Sequence, residues 1–123
     1  MQTILIADDE IAFLDILQVI LHRYGYFTIT APNGLRALEL IRTHVPQMIF
    51  LDDMMPGMNG GDVCLAVKND LNLSHIPVVL FSAGARIRDP IFIQQIRADG
   101  ALMKPFHPDE VLNIVNRCLR TLV

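Results

Sequence analysis

The chain has 123 residues, 52% of them hydrophobic and 19% charged, which is enough to close one ordinary core without disulfide or metal staples and too apolar for disorder. A net charge of −3, with ten lysines and arginines scattered singly, argues against a nucleic-acid surface on this chain. No apolar stretch is long enough to span a bilayer, and the first one meets three acids too soon for a signal peptide, so a cytoplasmic protein that engages no membrane is expected.

The first strand reads from Ile4 to Ala7 and runs into Asp8-Asp9-Glu10. Helical period follows from near Glu10 to Tyr24, with a narrow polar stripe of Asp15, Gln18 and His22, and Gly25 ends it. Phe27 to Thr30 reads as a strand. Asn33-Gly34 then opens a helix whose expected core face is Leu35, Leu38, Ile41 and Val45. Pro46 stops that helix and launches the strand Met48 to Leu51, which runs into Asp52-Asp53.

After the turn Pro56-Gly57-Met58-Asn59-Gly60, a third helix points Val63, Val67 and Leu71 inward. Ile76-Pro77 leads into Val78-Val79-Leu80-Phe81, which delivers Ser82. Asp89-Pro90 starts a fourth helix with an N-cap acid and a proline at the first helical position. Ile91, Phe92, Ile93 and Ile96 give this helix more apolar surface than one buried face requires, which suits tight packing or a partner or dimer surface. Asp99-Gly100 turns into Ala101-Leu102-Met103, which delivers Lys104-Pro105. His107, a mediocre N-cap, precedes a last helix with Val111, Ile114, Val115, Cys118 and Leu122 facing in.

Strand and helix alternate five times without a linker or repeat, so one α/β domain over residues 1–123 is expected, with a parallel sheet covered by helices on both faces. Cys64 and Cys118 lack metal-ligand spacing and read as small buried apolar residues. In such a sheet the C-terminal strand ends share one edge, where ligands bind. Here that edge gathers Asp8, Asp9, Asp52, Ser82 and Lys104.

If the first and third strands are neighbours, about 4.8 Å apart, their carboxylates crowd one another, and two like charges about 4 Å apart repel by about 4 kcal/mol at an effective dielectric near 20. Either one acid is protonated at neutral pH or a cation sits among them, and hard oxygens with room for water favour Mg²⁺. A carboxylate beside a divalent cation and a lysine suits attack on a phosphoryl group. A metal-dependent phosphohydrolase with an aspartyl intermediate would want Asp-x-Asp after the first strand and a cap insertion. This chain has Asp8-Asp9-Glu10 and no insertion.

Four pieces carry a resemblance: Ala7-Asp8-Asp9-Glu10; Leu51-Asp52-Asp53-Met54-Met55-Pro56-Gly57-Met58-Asn59-Gly60; Pro77-Val78-Val79-Leu80-Phe81-Ser82-Ala83; and Lys104-Pro105-Phe106. Their spacing fits as well, with 30 residues from Asp52 to Ser82 and 22 from Ser82 to Lys104. Over its whole length the chain resembles the CheY-like receiver domain of two-component response regulators.

The resemblance implies a flavodoxin-like (βα)5 fold with strand order 2-1-3-4-5, and a single receiver domain with no output domain in this chain. It makes Asp52 the phosphoacceptor, with Asp8, Asp9, Asp52 and the backbone carbonyl of Met54 holding Mg²⁺, for which Mn²⁺ can substitute. Ser82 becomes the switch hydroxyl and Lys104 the phosphate partner, with a cis Lys104–Pro105 bond. The implied partners are a sensor histidine kinase or histidine phosphotransfer protein, a downstream protein, and a second copy through the region of the fourth helix. No turnover of a separate small molecule is expected.

The family usually places an aromatic ring three residues before the lysine, where this chain has Ala101. Signal transfer is therefore expected to rest on the 83–90 loop, made mobile by Gly84, and on the helix after it. Met54 and Gly84 stand where the family tunes loss of the phosphate and offer no polar group to orient water, so slow dephosphorylation is expected. Asp53 is expected to point away from the pocket and Glu10 to favour the first helix's N-terminus. The four histidines are expected at the surface.

Overall fold

Strands made almost wholly of Ile, Leu, Val, Met and Phe need cover on both faces, and the computed structural model, which describes residues 2–119, provides it. Its elements in order are β1 (Thr3–Ala7), α1 (Ile11–Arg23), β2 (Phe27–Ala31), α2 (Gly34–His44), β3 (Met48–Asp52), α3 (Gly60–Asn69), β4 (Val78–Ser82), a 3₁₀ turn (Ala85–Arg88), α4 (Pro90–Ile96), β5 (Gly100–Met103) and α5 (Pro108–Cys118). The five strands are parallel in the order β2-β1-β3-β4-β5, the flavodoxin-like doubly wound arrangement.

Alternation along the strands divides the core in two. Leu5, Ala7, Ile49, Leu51, Val78 and Leu80 pack on one face with Leu38 and Ile41 of α2, Val63 and Val67 of α3, and Ile96 of α4. Ile4, Ile6, Met48, Phe50, Val79 and Phe81 pack on the other with Leu14, Leu17 and Leu21 of α1 and Val111, Ile114 and Val115 of α5. Every residue of β3 and β4 is buried, as the central strands of a two-faced sheet must be.

Register sets the height of the functional edge. Ala7 pairs with Leu51, Asp52 with Phe81, and Ser82 with Met103. The Lys104 N–H donates to the Ser82 carbonyl at 2.9 Å, so Asp8 just past β1, Ser82 at the end of β4 and Lys104 just past β5 emerge level with Asp52. Capping fixes the helix starts. Asn33 accepts from Arg36 N–H at 2.8 Å, and Asp89 accepts from Ile91 N–H at 2.9 Å. Asn59 accepts from Asp62 N–H at 2.9 Å while Asp62 accepts from Asn59 N–H at 3.3 Å, a reciprocal capping box at the start of α3.

Several expectations about the core need correction. Leu35 is 65% exposed, because the inner stripe of α2 runs through Gly34, Ala37, Leu38 and Ile41 and Leu35 lies a further 100° round the helix. Val45 is exposed as the left-handed C-cap of α2, at φ 44°. Leu71 is 94% exposed, since α3 ends at Asn69 and the following turn buries Leu73 and Ile76 instead. Cys64 is buried as expected and its thiol is pushed up to about 12 by burial, whereas Cys118 is only half-buried. Leu122 lies outside the described residues.

Candidate functional site

The strand ends converge as the register requires. Asp8 is fully buried, Asp52 is 2% exposed and Ser82 is fully buried, while Asp9 and Glu10 lie at the surface. Lys104 threads between them. Its Nζ stands 2.7 Å from Asp8 Oδ2, 3.6 Å from Asp52 Oδ2 and 3.6 Å from Glu10 Oε1. A cavity of about 360 Å³ opens there, lined by Asp9, Glu10, Asp52, Met54, Ser82 and Lys104, with Ala83 at its rim. All the residues singled out for chemistry are therefore at one place.

Asp52 and Asp8 strain each other. Burial, followed by the charge of Asp8, raises the Asp52 carboxyl to about 6, although Lys104 and an N–H donated by Met54 at 3.3 Å to Asp52 Oδ1 pull the other way. Asp8 Oδ1 accepts from Glu10 N–H at 2.9 Å. Its Oδ2 has the ion-pair contact with Lys104 but no aligned donor, and among the described residues it is the one buried side-chain polar atom without a hydrogen bond.

The donor set fits a hard divalent cation. Carboxylate oxygens of Asp8, Asp9 and Glu10 lie within 4.8 Å of one another, with Asp52 beside them. Four carboxylates against a single ammonium leave the pocket strongly electronegative, and the buried Asp8 carboxylate, with one oxygen held only by its ion pair with Lys104, suits a cation ligand. Glu10 occupies the N-cap position of α1 without a side-chain cap bond. Its carboxylate turns to Lys104, so its expected service to the helix terminus is replaced by a contact at the site.

Two contributors gave no signal in the sequence. Phe13, in the first turn of α1, places its ring 4.0 Å from Lys104 Nζ, and Phe81 of β4 lies at 5.1 Å. Phe106, two residues past Lys104, packs at 6.1 Å from Phe13 and 6.3 Å from Phe81. The ammonium thus sits on aromatic faces on one side and against carboxylates on the other, and cation–π attraction restrains it independently of the acids. The other contributor is Arg86, which forks onto Asp53 with Nε–Oδ2 at 2.7 Å and Nη2–Oδ1 at 2.9 Å.

Asp53 accordingly turns aside from the Asp8–Lys104 cluster, as expected. Ser82 Oγ accepts from Gly84 N–H at 2.9 Å. Gly84 does not use a conformation special to glycine: its φ of −73° suits any residue, and a Cβ there would meet Met54 Sδ, on an exposed side chain, at 2.8 Å and Ser82 Oγ at 3.2 Å. The 83–90 segment is correspondingly no open loop. It is a 3₁₀ turn pinned by buried Ile87 and by Arg86. The Lys104–Pro105 bond is cis and the four histidines are exposed, both as expected.

A parallel doubly wound sheet with a buried acid pair and a lysine at its switch-point edge defines a class of α/β domain built to hold a small charged group there. Comparison with known proteins names the family. The response regulator receiver domain model matches residues 4–116, and the chain belongs to that family, the receiver domains of two-component systems. The DNA-binding response regulator MtrA of Mycobacterium tuberculosis is 35% identical over 119 residues, covering 97% of this chain and 51% of its own length. The chain spans about half the length of the curated relatives it matches.

Among solved structures, the chemotaxis protein CheY4 of Vibrio cholerae superposes with a TM-score of 0.88 at 26% identity, covering 96% of this chain and 98% of that one. The response regulator TrrA of Thermotoga maritima, solved in complex with Mg²⁺-BeF, gives 0.87 at 28% identity, covering 96% and 99%. Among the described residues, no helix is long and apolar enough to cross a membrane.

Proposed function

We propose that residues 1–123 form a phosphorylation switch, and that Asp52 accepts a phosphoryl group from a phosphohistidine on a sensor histidine kinase or histidine phosphotransfer protein. What carries the reading is the Asp52 carboxylate itself, buried beside a second buried carboxylate and 3.6 Å from an ammonium, in a cavity that also holds a hydroxyl. An Asp52 carboxylate oxygen attacks phosphorus, the N–P bond breaks, and the imidazole leaves with its electron pair while the acyl phosphate forms.

Lys104 neutralises charge on the transferring oxygens, and its aromatic bed keeps it in place once the Asp52 carboxylate has become a mixed anhydride. Ser82 turns from Gly84 N–H to donate to the new phosphate, a bond available only in the modified state. Asp8, Asp9, Asp52 and the Met54 carbonyl would hold Mg²⁺, or Mn²⁺ in its place, and the ion supplies positive charge to the phosphoryl oxygens. The Mg²⁺ held by the relative TrrA supports this assignment. The domain modifies itself and turns over no separate small molecule. A downstream protein, or a second copy of the chain, reads the altered surface.

Incubation with a small acyl-phosphate donor, with and without Mg²⁺, tests the reading by intact mass. One phosphoryl adduct is expected, it should require Mg²⁺, and it should be absent from Asp52→Ala. After removal of the donor, decay should be faster in Met54→Asn, whose amide can orient water where the native thioether cannot. No adduct on the native chain, or an adduct surviving in Asp52→Ala, would sink the proposal.

A further inference from the structure

One side chain ties the end of the acceptor strand to α4. Asp53 is 5% exposed, and each of its polar groups is engaged. Its N–H donates to the Phe81 carbonyl at 3.3 Å and its carbonyl accepts from Gly60 N–H at 3.2 Å. Its Oδ1 accepts from Gly61 N–H at 3.2 Å and from Arg86 Nη2 at 2.9 Å, and its Oδ2 accepts from Arg86 Nε at 2.7 Å. Arg86 comes from the 3₁₀ turn after Ser82, and its guanidinium lies 4.1 Å from the centre of the Phe92 ring on α4.

The start of α3 also lies close against this side chain. A Cβ on Gly61 would stand 3.1 Å from Arg86 Nη2 and 3.2 Å from Phe92 Cζ. The guanidinium and the Phe92 ring therefore pack closely on Gly61, and a methyl group there would make both give by a few tenths of an ångström. On β5, by contrast, Ala101 presents an exposed methyl group and has no ring to turn.

We propose that Arg86 is the positioning residue that couples the state of Asp52 to α4, in place of an aromatic residue on β5. The trigger rests on the reading of Asp52 as phosphoacceptor, whereas the Arg86–Asp53 pair stands on geometry alone. When Ser82 leaves Gly84 N–H to meet a group on Asp52, the turn after Gly84 loses the anchor at its start and shifts against those that remain at Arg86 and Ile87. Arg86 then either carries the buried Asp53 with it or leaves that carboxylate without its two charge-assisted bonds. In both cases the displacement reaches Phe92 and changes the surface of α4, where Ile91 is already exposed.

Amide hydrogen exchange over residues 85–96, followed by mass spectrometry on the whole chain, tests this in Arg86→Ala, Arg86→Lys and the control Arg88→Ala, which removes a neighbouring exposed charge. At rest, Arg86→Ala should exchange about tenfold faster across this segment, Arg86→Lys should fall between, and Arg88→Ala should match the native chain. With acyl phosphate and Mg²⁺, the native chain should change its exchange at 85–96, and Arg86→Ala should show less than half that change while carrying the same adduct.

Native resting exchange in Arg86→Ala, or a full native response in the modified variant, overturns the inference. If the native chain takes no adduct, the reading of Asp52 fails and the resting comparison alone decides the role of Arg86. Should Arg86→Ala not fold, Asp53→Asn takes its place with the same two outcomes.

Discussion

Asp52 lies 2% exposed across from Asp8, so its ionised form is disfavoured first by burial and then by like charge, and its pKa rises to about 6. An unfolded aspartate titrates near 3.9, so between about pH 4 and pH 6 the folded chain binds the proton that the unfolded chain has released. A raised folded pKa means that the associated stability is fully present below the unfolded value and is lost as pH rises through the folded one. At pH 7 without metal, the buried charge costs about 3 kcal/mol. Asp52→Asn, which cannot ionise, should therefore be more stable than the native chain at pH 7 in EDTA, with the gap closing towards pH 4. Urea unfolding at the two pH values measures this; an equal gap at both would contradict it. Lys104 survives the substitution in place, because Asp8 at 2.7 Å and the Phe13 ring at 4.0 Å both remain.

Between elements, one of the closest joins is the start of α3 against the end of β3. A Cβ on Gly60 would stand 2.5 Å from the Asp52 carbonyl oxygen and 2.9 Å from Asp53 Cα, backbone atoms at and just past the end of the acceptor strand that no rotamer change can move aside. The Gly60 N–H also donates to the Asp53 carbonyl at 3.2 Å. Gly60→Ala should therefore push α3 off the strand end and lose about 2 kcal/mol, in the range for overpacking of a well-filled site. A urea midpoint unchanged from the native chain would show that the join yields more easily than its geometry indicates. The same join explains why α3 is capped twice over, by Asn59 and Asp62: the helix must begin at a fixed residue to seat Gly60 and Gly61 against Asp52 and Asp53.

Across the whole molecule, the sheet and its polar edge were legible because each strand is a short apolar run that ends in a chemically distinct residue. Parallel pairing then brings those ends level. The strand order came from the resemblance rather than from the runs themselves. Leu35 and Leu71 misled because size was read as burial: α2 buries Gly34 and Ala37 on its inner stripe, and α3 stops before Leu71. Arg86 and Asp53, 33 residues apart, escaped because two charges on separate loops have no period to betray them. Phe13 escaped because an aromatic residue in an amphipathic helix reads as core, and its second face, towards Lys104, exists only in the folded chain. The chemistry assigned to the edge depends on which carboxylate reacts. After treatment with acyl phosphate and Mg²⁺, borohydride reduction of the acyl phosphate followed by peptide sequencing by mass spectrometry reads that directly. The expected result is homoserine at position 52 alone. Homoserine at position 8, 9 or 53, with position 52 intact, would contradict the account.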